Sequence, residues 1–328
     1  MIITKTPYRI SFFGGGTDFP IWYKKNKSQV ISTTINKYSY IVLRNLPSIF
    51  NYKFRIRYYF REEVKKKNKI KHPVVRELLL RYPNIKSLDM NHHGDLPART
   101  GIGSSSSFTV GFIQSLNALK NHKLSKFELA KQSINFEQRV LKETVGSQDQ
   151  IAASYGGFNK ISFFKDSFKV NNFNQNHMIK ELEKWCCLFY LGSQRSSKNI
   201  EKKKFYKLNK KKIKVLNYMT SICSEAEKLI KTNKKENVKY FAELLKDQWN
   251  IKKELNKMVS SREIDSINNF FLSKGALGGK VIGAGGGGFY LAMIPPNIKE
   301  NIIKKTNLPN IDFNFENKGS LVVLNNKD

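Results

Sequence analysis

Three short segments of small residues carry most of the chemistry legible in this chain. They are Gly14, Gly15, Gly16, Thr17 and Asp18 near the start, Gly101, Ile102, Gly103 and Ser104 to Ser107 in the middle, and Gly283, Ala284 and Gly285 to Gly288 near the end. In the middle segment a strand pattern runs into glycines, then four hydroxyls, then an apolar-periodic stretch that predicts a helix. Its backbone N–H groups converge at a helix N-terminus, which makes an anion site. No lysine follows the glycines, so this is not a Walker A loop, and Ser106 stands where a dinucleotide fingerprint has its third glycine. A phosphate held there needs another counterion, and a serine hydroxyl on Mg²⁺ supplies part of it. The small residues of the last segment lie between two apolar strand patterns and let another group approach the backbone closely.

Two carboxylates stand out beside these loops. Ser125 with Glu128 three residues on forms a capping box, which opens a predicted helix running to about Thr144. Phe127, Ala130, Ile134, Glu137 and Leu141 share one face of it, apolar except for Glu137. A carboxylate there either pairs with a cation, Mg²⁺ or a basic side chain, or reaches water at the rim of the packed face. Asp149 follows in G-S-Q-D-Q, within a stretch poor in charge, and either serves chemistry or turns the chain. The five histidines (His72, His92, His93, His122, His177) have no metal spacing.

The elements that must position these groups read as α+β in both halves. Val30 to Ile35, Tyr38 to Arg44 and Phe54 to Phe60 alternate as strands, Pro73 to Tyr82 reads as a helix, and the strand Leu88 to Gly94 leads into Pro97 to Ser107. Phe108, Phe112, Leu116 and Leu119 then recur at helical spacing. After Gly156 and Gly157 a hairpin spans Phe158 to Val170, and the polar tail Asn171 to His177 suggests a boundary, giving domains 1–172 and 173–328. The second half reads as a strand (Lys184 to Leu191), helices over Lys202 to Lys231, Lys235 to Met258 and Arg262 to Lys274, and strands at Lys280 to Ile282, Phe289 to Ile294 and Ser320 to Leu324.

Composition bounds the answer. Among 328 residues, 40% are apolar and 12% aromatic, enough for a large core, so disorder is excluded. Met1 to Phe13 lacks the charged-then-apolar order of a signal peptide, and no apolar run reaches the ~20 residues of a membrane helix, so no membrane partner is expected. Three cysteines, two of them adjacent, form neither a disulfide framework nor a zinc site, which fits a reducing cytoplasm. The 58 Lys+Arg against 26 Asp+Glu leave +32, with dense runs at Lys65 to Lys71 and Lys202 to Lys214. Nucleic acid is the obvious polyanion for such a charge. Lys, Asn and Ile are abundant together, however, as AT-rich codons produce, and charge alone argues solubility rather than a partner. Oligomeric state is not readable.

In order, P-Y-R-I-S-F-F-G-G-G-T-D, P-A-R-T-G-I-G-S-S-S-S and K-V-I-G-A-G-G-G-G-F resemble the three motifs of the GHMP small-molecule kinases, and they bracket residues 5 to 289. The opening is similar to that of the D-glycero-D-manno-heptose 7-phosphate kinases and of the kinase part of fucokinases. The resemblance implies two α+β domains: an N-terminal one with a left-handed βαβ unit and a C-terminal ferredoxin-like one. It implies ATP phosphates cradled by Pro97, Thr100, Gly101, Ile102, Gly103, Ser104, Ser105, Ser106 and Ser107, and Mg²⁺ held by Ser105, or its neighbour Ser104, with Glu137. Asp149 would accept the proton of the acceptor hydroxyl, assisted by Arg9. Gly16, Thr17, Asp18, Gly157, Gly285, Gly286 and Gly287 would lie on the substrate side, with Arg195 on the phosphate of a phosphorylated sugar. Arg99 departs from the small residue many members carry. The activity implied is phosphorylation of the anomeric hydroxyl of heptose 7-phosphate, giving the 1,7-bisphosphate. A fucose- or galactose-type kinase, and a nucleic-acid-binding protein on a kinase scaffold, are the alternatives.

Overall fold

The structure, a computed structural model, describes residues 1–192, 209–255 and 257–326. The first half is built on a nine-stranded sheet. Strand β1 (Ile2–Phe13) pairs antiparallel with the 17-residue β2 (Ser28–Arg44), a short helix α1 (Pro20–Tyr23) lying between them in sequence. The hairpin of β3 (Phe54–Arg57) and β4 (Arg61–Val64) precedes α2 (Pro73–Arg81) and β5 (Leu88–Gly94), and β5 lies parallel to β3 and antiparallel to β2. β3 and β5 are thus a parallel pair joined through β4 and α2. From β5 the chain enters the hydroxyl-rich loop and then α3 (Ser104–Leu119), α4 (Lys126–Asn135) and α5 (Gln148–Tyr155).

Hairpin β6 (Asn159–Phe163) and β7 (Phe168–Asn172) adds to the start of β2. Helix α6 (His177–Trp185) then leads into a second, four-stranded antiparallel sheet. Its strands are β8 (Cys186–Tyr190), β9 (Gly278–Val281), β10 (Phe289–Met293) and β11 (Asn310–Ile311), in the order β11-β8-β10-β9. Helices α7 (Lys210–Thr232), α8 (Val238–Leu255), α9 (Arg262–Ser273) and α10 (Pro296–Lys305) complete this half. No helix of the described residues is long and apolar enough to cross a membrane.

Two places differ from the sequence reading in ways that matter to the site. The helix from Ser125 keeps its capping box, but ends at Asn135 and continues as a π-helical turn over Phe136–Val140, with the Leu141 N–H reaching the Phe136 carbonyl at 2.9 Å. Beyond residue 172 the chain does not stay in the second sheet. β12 (Phe315–Glu316) pairs with β2 and β13 (Leu321–Asn325) with β1, so the C-terminus closes the first sheet. One core is shared by both halves: Tyr8, Ile10 and Phe12 of β1 pack in the same cluster as Leu182, Ile222, Phe241 and Leu291. A second core under α2 and α3 joins Ile41, Leu79, Met90, Phe112 and Leu116. The segments that carry the site are therefore anchored from both sides.

Candidate active site

The centre of the site is a pair of side chains brought together from opposite ends of the first half. Arg9, on β1 and nearly buried, donates through Nε to Asp149 Oδ1 and through Nη2 to Asp149 Oδ2, each at 2.8 Å. Two parallel charge-assisted bonds fix the plane of the carboxylate. The same guanidinium donates through Nη1 to the Gly101 carbonyl, and the Arg9 N–H to that of Ile102 at 3.0 Å. Arg9 thus ties Asp149 to the glycine loop, while the Asp149 side chain keeps 24% exposure.

Gly103 brings the helix terminus to this pair. It caps α3 with φ 76°, and a Cβ there would stand 3.2 Å from Arg9 Cγ and 3.4 Å from Asp149 Oδ2. The first N–H groups of α3 have no intrahelical acceptor, so the positive end of a 16-residue helix opens beside the carboxylate. The loop is braced from below by the third glycine segment. A Cβ on Gly283 (φ 72°) would fall 2.5 Å from the Gly101 Cα, so these two backbones touch directly and only glycine fits.

Four hydroxyls follow Gly103, and helix geometry gives each a different task. Ser104 Oγ accepts from the Arg99 N–H at 3.3 Å, Ser105 is exposed, Ser106 Oγ donates to Glu137 Oε2 at 3.0 Å, and Ser107 Oγ donates to the Pro7 carbonyl at 2.9 Å. Of the two serines expected to hold Mg²⁺ with Glu137, Ser104 is half-buried and Ser105 exposed, and the hydroxyl that bonds the carboxylate directly is that of Ser106. Glu137 is 1% exposed and also accepts from Gln150 Nε2, while its Oε1 has no partner among the described residues. Burial pushes its pKa up to about 7, against the lowering effect of bonds from Thr109, Gln150 and Ser106. A carboxylate with one orphaned oxygen beside serine and threonine hydroxyls is a hard-oxygen donor set of the kind that suits a small dication.

Asp18, expected to bind substrate, is buried. Its Oδ1 accepts from the Gly16 N–H at 2.8 Å and its Oδ2 from the Gln148 N–H at 3.3 Å. Burial raises its pKa, and the nearby charge of Asp149 adds to that. Asp18 in this form latches the first glycine loop to the start of α5. Thr17 is buried, and its hydroxyl donates to the Gly14 carbonyl at 2.9 Å within the loop. The Gly157 N–H goes to the Glu316 carbonyl at 2.8 Å and to Thr34 Oγ1 at 2.7 Å under β12. Gly285 packs on Val259, and the Gly286 N–H donates to the Val259 carbonyl at 2.8 Å, which turns that part of the segment toward the second half. Gly287 lies in the same segment with φ 133°. Pro97 is exposed at the loop entrance, where its carbonyl accepts from Thr100 Oγ1 at 2.7 Å, and Ile102 is core. Arg195 lies outside the described residues.

Sequence reasoning missed Gly146 and the glutamines. A Cβ on Gly146 would fall 1.8 Å from Asp18 Oδ2, so glycine there admits the buried carboxylate. Its signal is the V-G-S-Q-D string itself, a glycine just ahead of the acidic residue. Gln148 and Gln150 carry no charge and gave none.

Comparison with known proteins bears on the family and the fold. Residues 68–157 match the GHMP kinases N terminal domain and residues 227–307 the GHMP kinases C terminal family. The D-glycero-alpha-D-manno-heptose 7-phosphate kinase of Campylobacter jejuni is 29% identical, over 97% of each chain. A crystal structure of a D-glycero-D-manno-heptose 1-phosphate kinase from Bacteriodes thetaiotaomicron superposes with TM-score 0.77 at 21% identity, covering 98% of each chain. A putative sugar kinase from Campylobacter jejuni gives 0.75 at 25% identity, covering 98% of this chain and 97% of that one. With both family domains matched and its architecture shared along the whole chain, the protein belongs to the GHMP kinases, ATP-dependent phosphotransferases that act on an alcohol group.

Proposed function

We propose that this kinase transfers the γ-phosphoryl group of ATP to the anomeric hydroxyl of D-glycero-D-manno-heptose 7-phosphate, giving the 1,7-bisphosphate. The observation that carries the chemistry is the Arg9–Asp149 pair pressed against Gly103 at the head of α3. Full-length likeness to a heptose 7-phosphate kinase supports the acceptor.

In this reading the first N–H groups of α3 and the loop from Thr100 to Ser106 cradle the nucleotide phosphates. The acceptor hydroxyl lies against Asp149. As its oxygen bonds to the γ-phosphorus, the bond from phosphorus to the β-bridging oxygen breaks, ADP leaves with that electron pair, and the hydroxyl proton passes to the Asp149 carboxylate. Arg9 holds the carboxylate in plane and offsets negative charge on the attacking oxygen. Little covalent chemistry is asked of the protein beyond this, so positioning accounts for most of the rate. Glu137 and the Ser106 hydroxyl would hold Mg²⁺, which neutralises charge on the β- and γ-phosphates when bound.

The test is ADP release with ATP, Mg²⁺ and a panel of acceptors, with the product located by phosphorus NMR. Heptose 7-phosphate is expected to be the fastest acceptor, phosphorylated at the anomeric carbon. Faster turnover of unphosphorylated fucose or galactose would overturn the assignment.

A further inference from the structure

The acceptor side of the cleft holds two buried polar groups without a task in the mechanism. Ser11 Oγ and Gln148 Oε1 are each buried and have no hydrogen-bond partner among the described residues. Native interiors rarely leave such groups unpaired, and each one calls for an explanation. Both border the same residue. A Cβ on Gly15 would stand 3.5 Å from Ser11 Oγ and 3.6 Å from Gln148 Nε2.

Those separations are ordinary van der Waals contact, so a methyl group would fit. Nor does the backbone require glycine: Gly14 and Gly16 have φ 77° and 110°, whereas Gly15 lies outside the left-handed region. What the missing side chain leaves is one half-buried residue of bare backbone lying over Ser11 and Gln148, whose Oγ and Oε1 are closed off beneath it.

Their placement relative to the reacting pair is regular. Arg9 and Ser11 pair in unbroken register with Thr34 and Ser32 of β2 and project from the same face of β1. Gln148 and Asp149 are neighbours at the start of α5. Arg9 meets Asp149, and Ser11, about 6.6 Å further along the strand, shares the Gly15 edge with Gln148. A single sugar ring spans that step. A hydroxyl and a carboxamide are neutral, and each can donate and accept, so together they suit a ligand hydroxyl rather than an ion.

We propose that Ser11 and Gln148, beneath Gly15, read the hydroxyl next to the one that is phosphorylated and so set which sugar is accepted. The assignment rests on the sugar-kinase reading above. A site built around a hydroxyl discriminates against an acceptor lacking it, because its own buried groups are then left unpaired.

The experiment compares heptose 7-phosphate with its 2-deoxy analogue in the wild type, Gly15→Ala and Ser11→Ala/Gln148→Ala. The wild type is expected to prefer the parent sugar at least ten-fold in kcat/KM, and the double variant to lose most of that preference. Gly15→Ala, whose methyl meets no clash, is expected to raise KM for the sugar about ten-fold, with KM for ATP and Tm unchanged. Unaltered discrimination in the double variant, or equal rises in both KM values for Gly15→Ala, would overturn the assignment while the kinase reading survives. Failure of the wild type on every sugar would remove both.

Discussion

Asp149→Asn removes the proposed proton acceptor while keeping the shape of the side chain, and the structure says what else it disturbs. In the wild type Nε and Nη2 of Arg9 each find a carboxylate oxygen at 2.8 Å. An amide offers only one acceptor, so one of those N–H groups then faces an NH₂. Arg9 is 5% exposed, and a buried donor left unpaired costs about 1–3 kcal/mol. The variant should therefore be less stable by an amount in that range, short of the ~3–5 kcal/mol of a fully broken buried pair, because Arg9 retains Gly101 and one oxygen. The chemical step loses the acceptor altogether, a change that typically costs ~10²-fold or more in turnover. ATP binding depends on the head of α3 rather than on this carboxylate and should be retained. Single-turnover ADP release, calorimetry with an unreactive ATP analogue and a urea titration separate the three. Turnover within a few-fold of wild type would refute the assignment of Asp149 as proton acceptor, and an ATP affinity that falls in step with turnover would show that the pair merely supports the loop.

Glu137, with its pKa raised from 4.5 to about 7 by burial, should stabilise the metal-free fold below about pH 4.5 and lose that contribution as pH rises through about 7. The full effect is at most about 3 kcal/mol, and in Glu137→Gln the fall in urea midpoint between pH 5 and 8 should flatten. Gly283→Ala forces a methyl into the Gly101 backbone and should raise KM for ATP and lower Tm together. An unchanged KM would mean that the third segment does not brace the phosphate loop. Asp89, fully buried and bonded to Arg44, Arg55 and Arg57, is held at a pKa of about 2 by those guanidinium groups against the opposing effect of burial. Asp89→Asn should destabilise by about 3–5 kcal/mol and leave both KM values alone, as urea unfolding and steady-state kinetics will check. Arg195→Ala should raise KM for the phosphorylated sugar only, and equal effects on sugar and ATP would argue that it supports the fold.

How much of this was legible beforehand depended on whether a residue's chemistry or its phase decided the outcome. Asp149 stood out because a carboxylate in a stretch poor in charge has few physical explanations, catalysis or a chain turn, whereas Arg9 came only through the resemblance of its motif. The glycine segments were legible because direct backbone contact of the Gly101–Gly283 kind leaves no alternative residue. Phase was not. Which of four consecutive serines turns toward Glu137 depends on how Gly103 enters α3, and a step of one residue rotates a side chain by about 100°, the difference between Ser105 in solvent and Ser106 on the carboxylate. Glu137 itself was anticipated on a straight helix with Phe127 on the same buried face. In the structure Ala130 and Glu137, seven residues apart on that face, are 0% and 1% exposed, whereas Phe127 in the first turn is 38% exposed, and the helix goes over into a π-helical turn at Phe136–Val140. No periodicity in the sequence encodes that turn. The return of Leu321–Asn325 to β1 was hidden for a related reason. A short alternating strand states that it needs a partner edge, and the edge it finds is fixed by the whole assembled sheet.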